Sequence, residues 1–169
     1  IAGGSKNKSP DVYVQISSEL LNCTGLEKSL SLLRSVVSML LISVDDESIS
    51  RVDPFVDFVT VKDFKALNDD LWVTVADSDK GYRENRKSTG CAFGKGGAIT
   101  ARLYNKTTEI MKTNKAFFKE IWKKEGWEES QEVWRIEFQL RKDFLNAMST
   151  SSMPALALTI NDIWRYCTN

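Results

Sequence analysis

An alternating stretch, Val133-Trp134-Arg135-Ile136-Glu137-Phe138-Gln139, predicts a strand with one apolar and one ionisable face. Two further stretches alternate in the same way: Arg51-Val52-Asp53-Pro54-Phe55-Val56-Asp57 and Ile99-Thr100-Ala101-Arg102-Leu103-Tyr104-Asn105-Lys106. We therefore expect a sheet with one face packed on a core and one face exposed to solvent. The exposed face would carry three acids, three bases and one tyrosine: Asp53, Asp57, Glu137, Arg102, Lys106, Arg135 and Tyr104. Such a set can hold a divalent metal, bind a phosphate and supply a nucleophile.

The rest of the chain predicts an α+β order around these strands. We predict strands at 11–17, 47–60, 70–76, 89–93, 98–106 and 133–140. We predict helices at 27–41, 61–67, 107–125 and 141–148, a final helix from residue 154, and a loop over 77–88. Gly94-Lys95-Gly96-Gly97 is typical of a hairpin turn, and Pro54 indicates a bulge or an edge position. The expected fold is an antiparallel sheet with helices packed on one face.

Bulk properties exclude several function classes. With 169 residues, we predict a linker or the edge of an expressed fragment at 1–10 and one domain over 11–169. No apolar run reaches the roughly 18 residues that a membrane helix needs. The chain has no histidine, which excludes serine–histidine triads and histidine-ligated metals. Its three cysteines form no CxxC pair, which argues against structural zinc and suits a reducing cytoplasm.

The charge is zero overall but unevenly distributed. Between Lys80 and Lys124, twelve Lys and Arg residues stand against three acids, a local excess of +9. Such a basic zone is typical of a surface that binds nucleic acid, and it is equally consistent with a lysine-rich helix face exposed to solvent.

The acidic residues have plain structural alternatives. Asp53 and Asp57 would lie about 13 Å apart along an extended strand, too far to share one metal unless Pro54 bends the chain. They are otherwise two surface acids. Arg135 and Glu137 also fit a cross-strand salt bridge to Arg102 or Lys106, which contributes little when exposed.

Tyr104 lies between Arg102 and Lys106 on one predicted face. Flanking cations would lower the pKa of its phenol and bind the phosphate that a phenolate attacks. The alternative is a surface tyrosine with basic neighbours.

Four segments, in this order, resemble the replication initiation factor family of rolling-circle plasmid initiators and related mobile-element relaxases. They are residues 50–57, 90–95, 101–109 and 133–141. The family pattern is R-x-D-x-x-x-D, a glycine-containing strand, R-x-Y-[DN]-K-x-x-E, and then a W-x-R-x-E strand. The most specific match is Arg102-Leu103-Tyr104-Asn105-Lys106-Thr107-Thr108-Glu109.

The resemblance implies a Rep-like nicking domain with an acidic metal site. Tyr104 would attack a DNA phosphodiester, leaving a 5′-phosphotyrosine and a free 3′-OH. The implied metal ligands for Mg²⁺ or Mn²⁺ are Asp53, Asp57 and Glu137, and the charge-stabilising cations are Lys106, Arg102 and Arg135. Glu109 would be structural or would orient Lys106. Single-stranded or origin DNA would be the partner, contacted by Arg51, Lys95, Lys112 and Lys115. We further expect a cytoplasmic protein that has no membrane partner and can form a homodimer.

Two other functions stay open. In a metal-dependent nuclease, Asp53 or Asp57 would pair with Glu137-Phe138-Gln139, and water would attack in place of tyrosine. A non-catalytic domain that binds nucleic acid or protein would show no metal dependence and no covalent adduct. No separate helix-turn-helix for reading an origin is evident in the sequence.

Overall fold

The computed structural model describes residues 12–40, 46–64, 76, 78–84 and 87–168. The chain divides into two compact units, Ile1–Val44 and Asp45–Asn169. The prediction of one domain over 11–169 stays a prediction. Apart from Ala76, the strand predicted at 70–76 lies outside the described residues, as does the second half of the helix predicted at 61–67. Residues 61–64 are described and are not helical, so that part of the helix prediction is wrong.

The first unit contains two helices, α1 (Ser18–Thr24) and α2 (Leu26–Leu40). The α2 helix confirms the helix predicted at 27–41 up to Leu40. The strand predicted at 11–17 is wrong for residues 12–17, which do not form a β-strand. Ser17 instead caps α1, because its side-chain oxygen accepts a hydrogen bond from the Leu20 amide at 3.1 Å.

The second unit is built on an antiparallel sheet, and the α+β class is confirmed. Its described strands are β1 (Arg51–Val52), β2 (Phe55–Val59), β3 (Asp79–Glu84), β4 (Lys87–Phe93), β5 (Ile99–Asn105) and β6 (Val133–Arg141). The spatial order is β1-β6-β5-β4-β3, and β2 also pairs with β6. The loop predicted over 77–88 is wrong for residues 79–84 and 87–88. These residues form β3 and the start of β4, and the two strands pair as a hairpin. Backbone ladder bonds hold this hairpin, so its polar sequence needs no hydrophobic alternation.

Pro54 splits the strand predicted at 47–60 into β1 and β2. The register stays the same on both sides, with Val52 opposite Leu140 and Phe55 opposite Glu137, so there is no bulge. The Phe138 amide donates to the Pro54 carbonyl at 3.0 Å. Proline has no amide hydrogen, so the reciprocal ladder bond cannot form. Of the two alternatives for Pro54, the structure shows the edge position.

The helix predicted at 107–125 is two helices. The α3 helix (Lys106–Thr113) ends where Asn114 adopts the left-handed conformation with φ 54° and ψ 37°, and α4 (Phe117–Lys124) follows. Asn105 caps α3, since its side-chain oxygen accepts a hydrogen bond from the Thr108 amide at 2.9 Å. Thr107, where the predicted helix begins, accepts a hydrogen bond from the Val133 amide at 2.8 Å.

Helices pack against both faces of the sheet rather than against one. The C-terminal helices α5 (Lys142–Ala147) and α6 (Met153–Thr168) cover the apolar face, where Phe138 and Leu140 join their core. On the opposite face, α4 places Phe118 and Trp122 over part of the ionisable residues, and Ile110 of α3 joins their cluster. The face predicted to be solvent-exposed is therefore covered where α4 crosses it. None of the described helices is long and apolar enough to span a membrane.

Candidate active site

Sheet register assembles the candidate site from β2, β6 and β5. Asp57 lies opposite Arg135, which lies opposite Tyr104 on its other side. In the adjacent row, Glu137 lies opposite Arg102. We call these five residues, Asp57, Arg102, Tyr104, Arg135 and Glu137, the central polar cluster. Three segments that are distant in sequence thus contribute to one face, as the alternating patterns predicted.

Tyr104 donates its phenolic hydrogen to Glu137 Oε2 at 2.9 Å. Burial raises the pKa of Tyr104 well above its ordinary value, and the neighbouring Glu137 carboxylate raises it further. The lowered pKa that we expected from flanking cations is wrong. Arg135 acts in the expected direction but is outweighed, so the resting side chain is a phenol and needs a base before it can attack.

Glu137 connects Tyr104 with Arg102. Its second carboxylate oxygen accepts a hydrogen bond from Arg102 Nη1 at 3.0 Å. Arg102 Nη2 donates to the side-chain oxygen of Gln139 at 2.6 Å. The Arg102 side chain is 34% exposed, whereas Glu137 and Gln139 are buried. Arg102 is thus the cation of the central polar cluster that solvent or a ligand can reach directly.

Asp57 and Arg135 form a buried ion pair. Arg135 Nε and Nη2 donate to the two Asp57 oxygens at 2.6 and 2.8 Å, and the Trp122 indole donates to the same carboxylate at 2.9 Å. Burial lowers the pKa of Arg135, but the hydrogen bonds and charge of Asp57, together with neighbouring Tyr104 and Glu137, raise the pKa overall. Arg135 is therefore a fixed cation whose side chain is only 4% exposed.

Lys106 lies beneath the site and not on its open surface. It is the first residue of α3, is 2% exposed, and donates to Glu109 Oε2 at 2.5 Å. Its ammonium lies 4.7 Å from the centre of the Phe118 ring and 5.6 Å from that of Tyr104. Burial lowers the pKa of Lys106, while Glu109 opposes that change. Glu109 was expected either to be structural or to orient Lys106, and this hydrogen bond is consistent with the second role.

The predicted metal ligands are held in separate ion pairs. Asp53 is hydrogen-bonded to Arg51, Asp57 to Arg135, and Glu137 to Arg102. Within the part of the chain that the structure describes, no three His, Cys, Asp or Glu residues are grouped to hold a metal ion. The carboxylates in this arrangement do not fit a shared Mg²⁺ or Mn²⁺, and the metal site stays a prediction.

The predicted DNA-contacting cations fall into two groups. Arg51 begins β1 opposite Arg141, and Lys95 lies in the turn that precedes β5. Lys112 is in the last turn of α3, and Lys115 is close enough to Lys106 to lower its pKa. The strand β5 runs between the two groups, so they do not form one compact patch.

Three contributors were not among the site residues predicted for the nicking reaction. Gln139 has a usable signal, because it follows Glu137 by two residues and so shares its face. Gly90 lies opposite Tyr104, and a Cβ there would come within 2.7 Å of Tyr104 Cβ and 2.4 Å of the Leu103 carbonyl oxygen. Trp122 arrives from α4, and no sequence pattern assigns a helix residue to a particular strand carboxylate.

Comparison of the chain with protein-family models gave no match, and neither did comparison with the curated proteins.

Proposed function

We propose that the central polar cluster nicks and rejoins a DNA strand, with Tyr104 as the nucleophile, to initiate rolling-circle replication or mobile-element transfer. The observation that supports this most directly is the 2.9 Å hydrogen bond from the Tyr104 hydroxyl to Glu137. A nucleophile in hydrogen-bond contact with a carboxylate, beside an accessible arginine, is an arrangement that suits phosphoryl transfer.

The reaction we propose transfers one phosphodiester bond. The Tyr104 oxygen attacks the phosphorus, and its proton passes to Glu137. The bond from phosphorus to the 3′ oxygen breaks, and that oxygen leaves as a hydroxyl after taking a proton from water. The product is a 5′-phosphotyrosine and a free 3′-OH. Rejoining is the reverse reaction: a 3′-OH gives its proton to solvent and attacks the phosphorus, the bond from phosphorus to the Tyr104 oxygen breaks, and Glu137 returns its proton to that oxygen.

The cations have different parts in this proposal. Arg102 is partly exposed and would contact the phosphate directly. Arg135 and Lys106 are buried and would act through their charge, at a distance from the phosphorane. The separate ion pairs of Asp53, Asp57 and Glu137 give no basis for a step through a metal, so a requirement for Mg²⁺ or Mn²⁺ is left to the experiment.

Single-stranded or origin DNA is the proposed partner, and the cytoplasm the proposed location. The excess of Lys and Arg between Lys80 and Lys124 supports a polyanionic partner. Arg51 and Lys95 near one end of β5, and Lys112 and Lys115 beyond the other, are proposed to contact the DNA backbone. A homodimer is also proposed, and measurement of the solution mass tests it.

The experiment is adduct formation with a randomised single-stranded DNA library labelled at the 3′ end. A 5′-phosphotyrosine keeps the 3′ fragment, so the label stays on the protein in a denaturing gel. Reactions contain Mg²⁺, Mn²⁺ or a chelator. The variants are Tyr104→Phe and, as a matched control, Tyr82→Phe, which removes an exposed phenol from β3.

Labelled protein from wild type and Tyr82→Phe, but not from Tyr104→Phe, supports the proposal. Cleavage that survives Tyr104→Phe without an adduct indicates the nuclease that uses water. Binding without cleavage indicates a non-catalytic domain. Loss of the adduct in the chelator alone supports a metal requirement, and a full yield there contradicts it.

A further inference from the structure

The contact between Trp122 and Asp57 links α4 to the central polar cluster. The indole Nε1 lies 2.9 Å from Asp57 Oδ2, and that oxygen also accepts a hydrogen bond from Arg135 Nη2. Trp122 is 6% exposed, so water does not compete for this bond. Asp57 Oδ2 thus accepts one hydrogen bond from α4 and one from β6, and these two bonds hold the helix at a fixed distance from the strand.

Two aromatic rings also pack against the Arg135 guanidinium and help to hold it in place. The guanidinium carbon lies 3.6 Å from the centre of the Phe55 ring and 4.6 Å from that of Phe118. Phe118 is on α4, one turn before Trp122, and their rings stack with centres 5.9 Å apart. The planar cation therefore has a bidentate carboxylate at its edge and aromatic rings within cation–π distance.

We propose that Trp122 is a positioning residue for the nicking reaction, acting through Asp57 to hold Arg135 beside Tyr104. The inference rests on the proposed function. Arg135 is the direct β6 neighbour of Tyr104, so a shift of its side chain moves a full positive charge relative to the reacting oxygen. Trp122 is a buried residue of α4, so in this proposal it affects the rate of the reaction through Asp57 and Arg135 and does not contact DNA.

The substitution that tests this inference is Trp122→Phe, which keeps an aromatic ring and removes the indole N–H. The matched control is Trp127→Phe. Trp127 packs against Trp122 at 5.4 Å between ring centres, and its N–H is bonded to the Gln131 carbonyl at 3.0 Å, away from the central polar cluster. Both variants lose one indole hydrogen bond in the same aromatic cluster, so their stability losses should be similar.

Two measurements separate positioning from simple destabilisation. The first is the maximal rate and half-saturating concentration of adduct formation with the 3′-labelled library. The second is the Arg135 Nε–H resonance in a ¹H–¹⁵N spectrum, assigned by its disappearance in Arg135→Lys. For Trp122→Phe we expect a maximal rate about tenfold to a hundredfold lower, an unchanged half-saturating concentration and a shifted resonance. For Trp127→Phe we expect the wild-type values of all three.

Equal adduct rates in the two variants, with wild type active, would overturn the positioning role and leave the proposed function standing. An unshifted Arg135 resonance in Trp122→Phe would overturn it as well, even if the rate fell. Absence of adduct from wild type would overturn the proposed function, and the positioning role with it. A higher half-saturating concentration at an unchanged maximal rate would assign Trp122 to DNA binding instead.

Discussion

The phenolic oxygen of Tyr104 and the Glu137 carboxylate are 2.9 Å apart on neighbouring strands, and the other oxygen of the same carboxylate holds Arg102. One buried acid thus touches both the proposed nucleophile and the cation that can reach a phosphate. It can take the proton of Tyr104 only if it is charged and free to accept, which makes it the most informative residue to change.

Glu137→Gln is predicted to slow adduct formation by about a hundredfold or more, because general-base catalysis contributes on that scale. The amide keeps the size of the side chain and can still accept one bond from Tyr104 or Arg102. The rate is measured with the 3′-labelled library, with thermal unfolding beside it to confirm the fold. A Glu137→Gln variant with the wild-type rate would remove Glu137 from the mechanism.

Tyr104→Phe is predicted to change how stability depends on alkaline pH. The pKa of Tyr104 is raised in the folded protein, so the folded state keeps this proton after the unfolded chain has lost it. The resulting stabilisation is complete below about pH 10, the ordinary tyrosine value, and is lost as the pH rises above it. The free energy of unfolding should therefore fall less steeply above pH 10 in the variant. Urea denaturation across that range measures the slopes, with Tyr82→Phe as control. Parallel wild-type and Tyr104→Phe curves would contradict the prediction.

Asp57→Asn is predicted to destabilise the protein by about 3–5 kcal/mol, because it leaves the buried Arg135 without its counter-charge. Asp53→Asn is the matched control. Asp53 pairs with Arg51 at a more exposed position, and its loss should cost no more than about 1 kcal/mol. Chemical denaturation gives both values. Similar losses for the two variants would show that the Asp57–Arg135 pair is not buried as described.

Gly90→Ala is predicted to destabilise the sheet by about 2–3 kcal/mol and to reduce adduct formation. The added methyl group would lie against the Tyr104 backbone and side chain, and overpacking of this kind costs about that much. Gly81→Ala on the neighbouring strand is the control, since a Cβ there has nothing within 4 Å. The two unfolding free energies decide the matter, and a Gly90→Ala variant as stable as Gly81→Ala would argue against close packing of β4 on Tyr104.

The faces of the central strands were predictable from sequence, because strand side chains alternate strictly and the three segments keep that alternation. Register was not predictable. It sets Arg135 opposite Tyr104 and Glu137 opposite Arg102, and it depends on pairing across long stretches of chain. The sequence therefore indicated which residues share a face and offered the Glu137–Arg102 salt bridge as one alternative, but it did not indicate that Glu137 would also accept a hydrogen bond from Tyr104.

The cover over the polar face was also not predictable. The apolar stripe of α4 shows that the helix packs on something, but not which face of the sheet it meets. Its position on the ionisable face brings Phe118 against Arg135 and Lys106, both of which are buried. Burial on this face and the Glu137 carboxylate reverse the expected change in the pKa of Tyr104. The hairpin of β3 and β4 was missed for a different reason, because its polar residues carry no periodic hydrophobic signal.

The interruption at Pro54 separates two strands that are already in the same register. Pro54→Ala would supply the amide hydrogen that is missing opposite Phe138, so β1 and β2 are predicted to fuse into one edge strand with no other residue moving. Slower amide hydrogen exchange at residues 52–56 would show the fusion, and unchanged exchange would exclude it. Proline at this place leaves the edge one ladder bond short, so local opening of β1 and the start of β2 is predicted to cost less free energy than opening of the strands behind them.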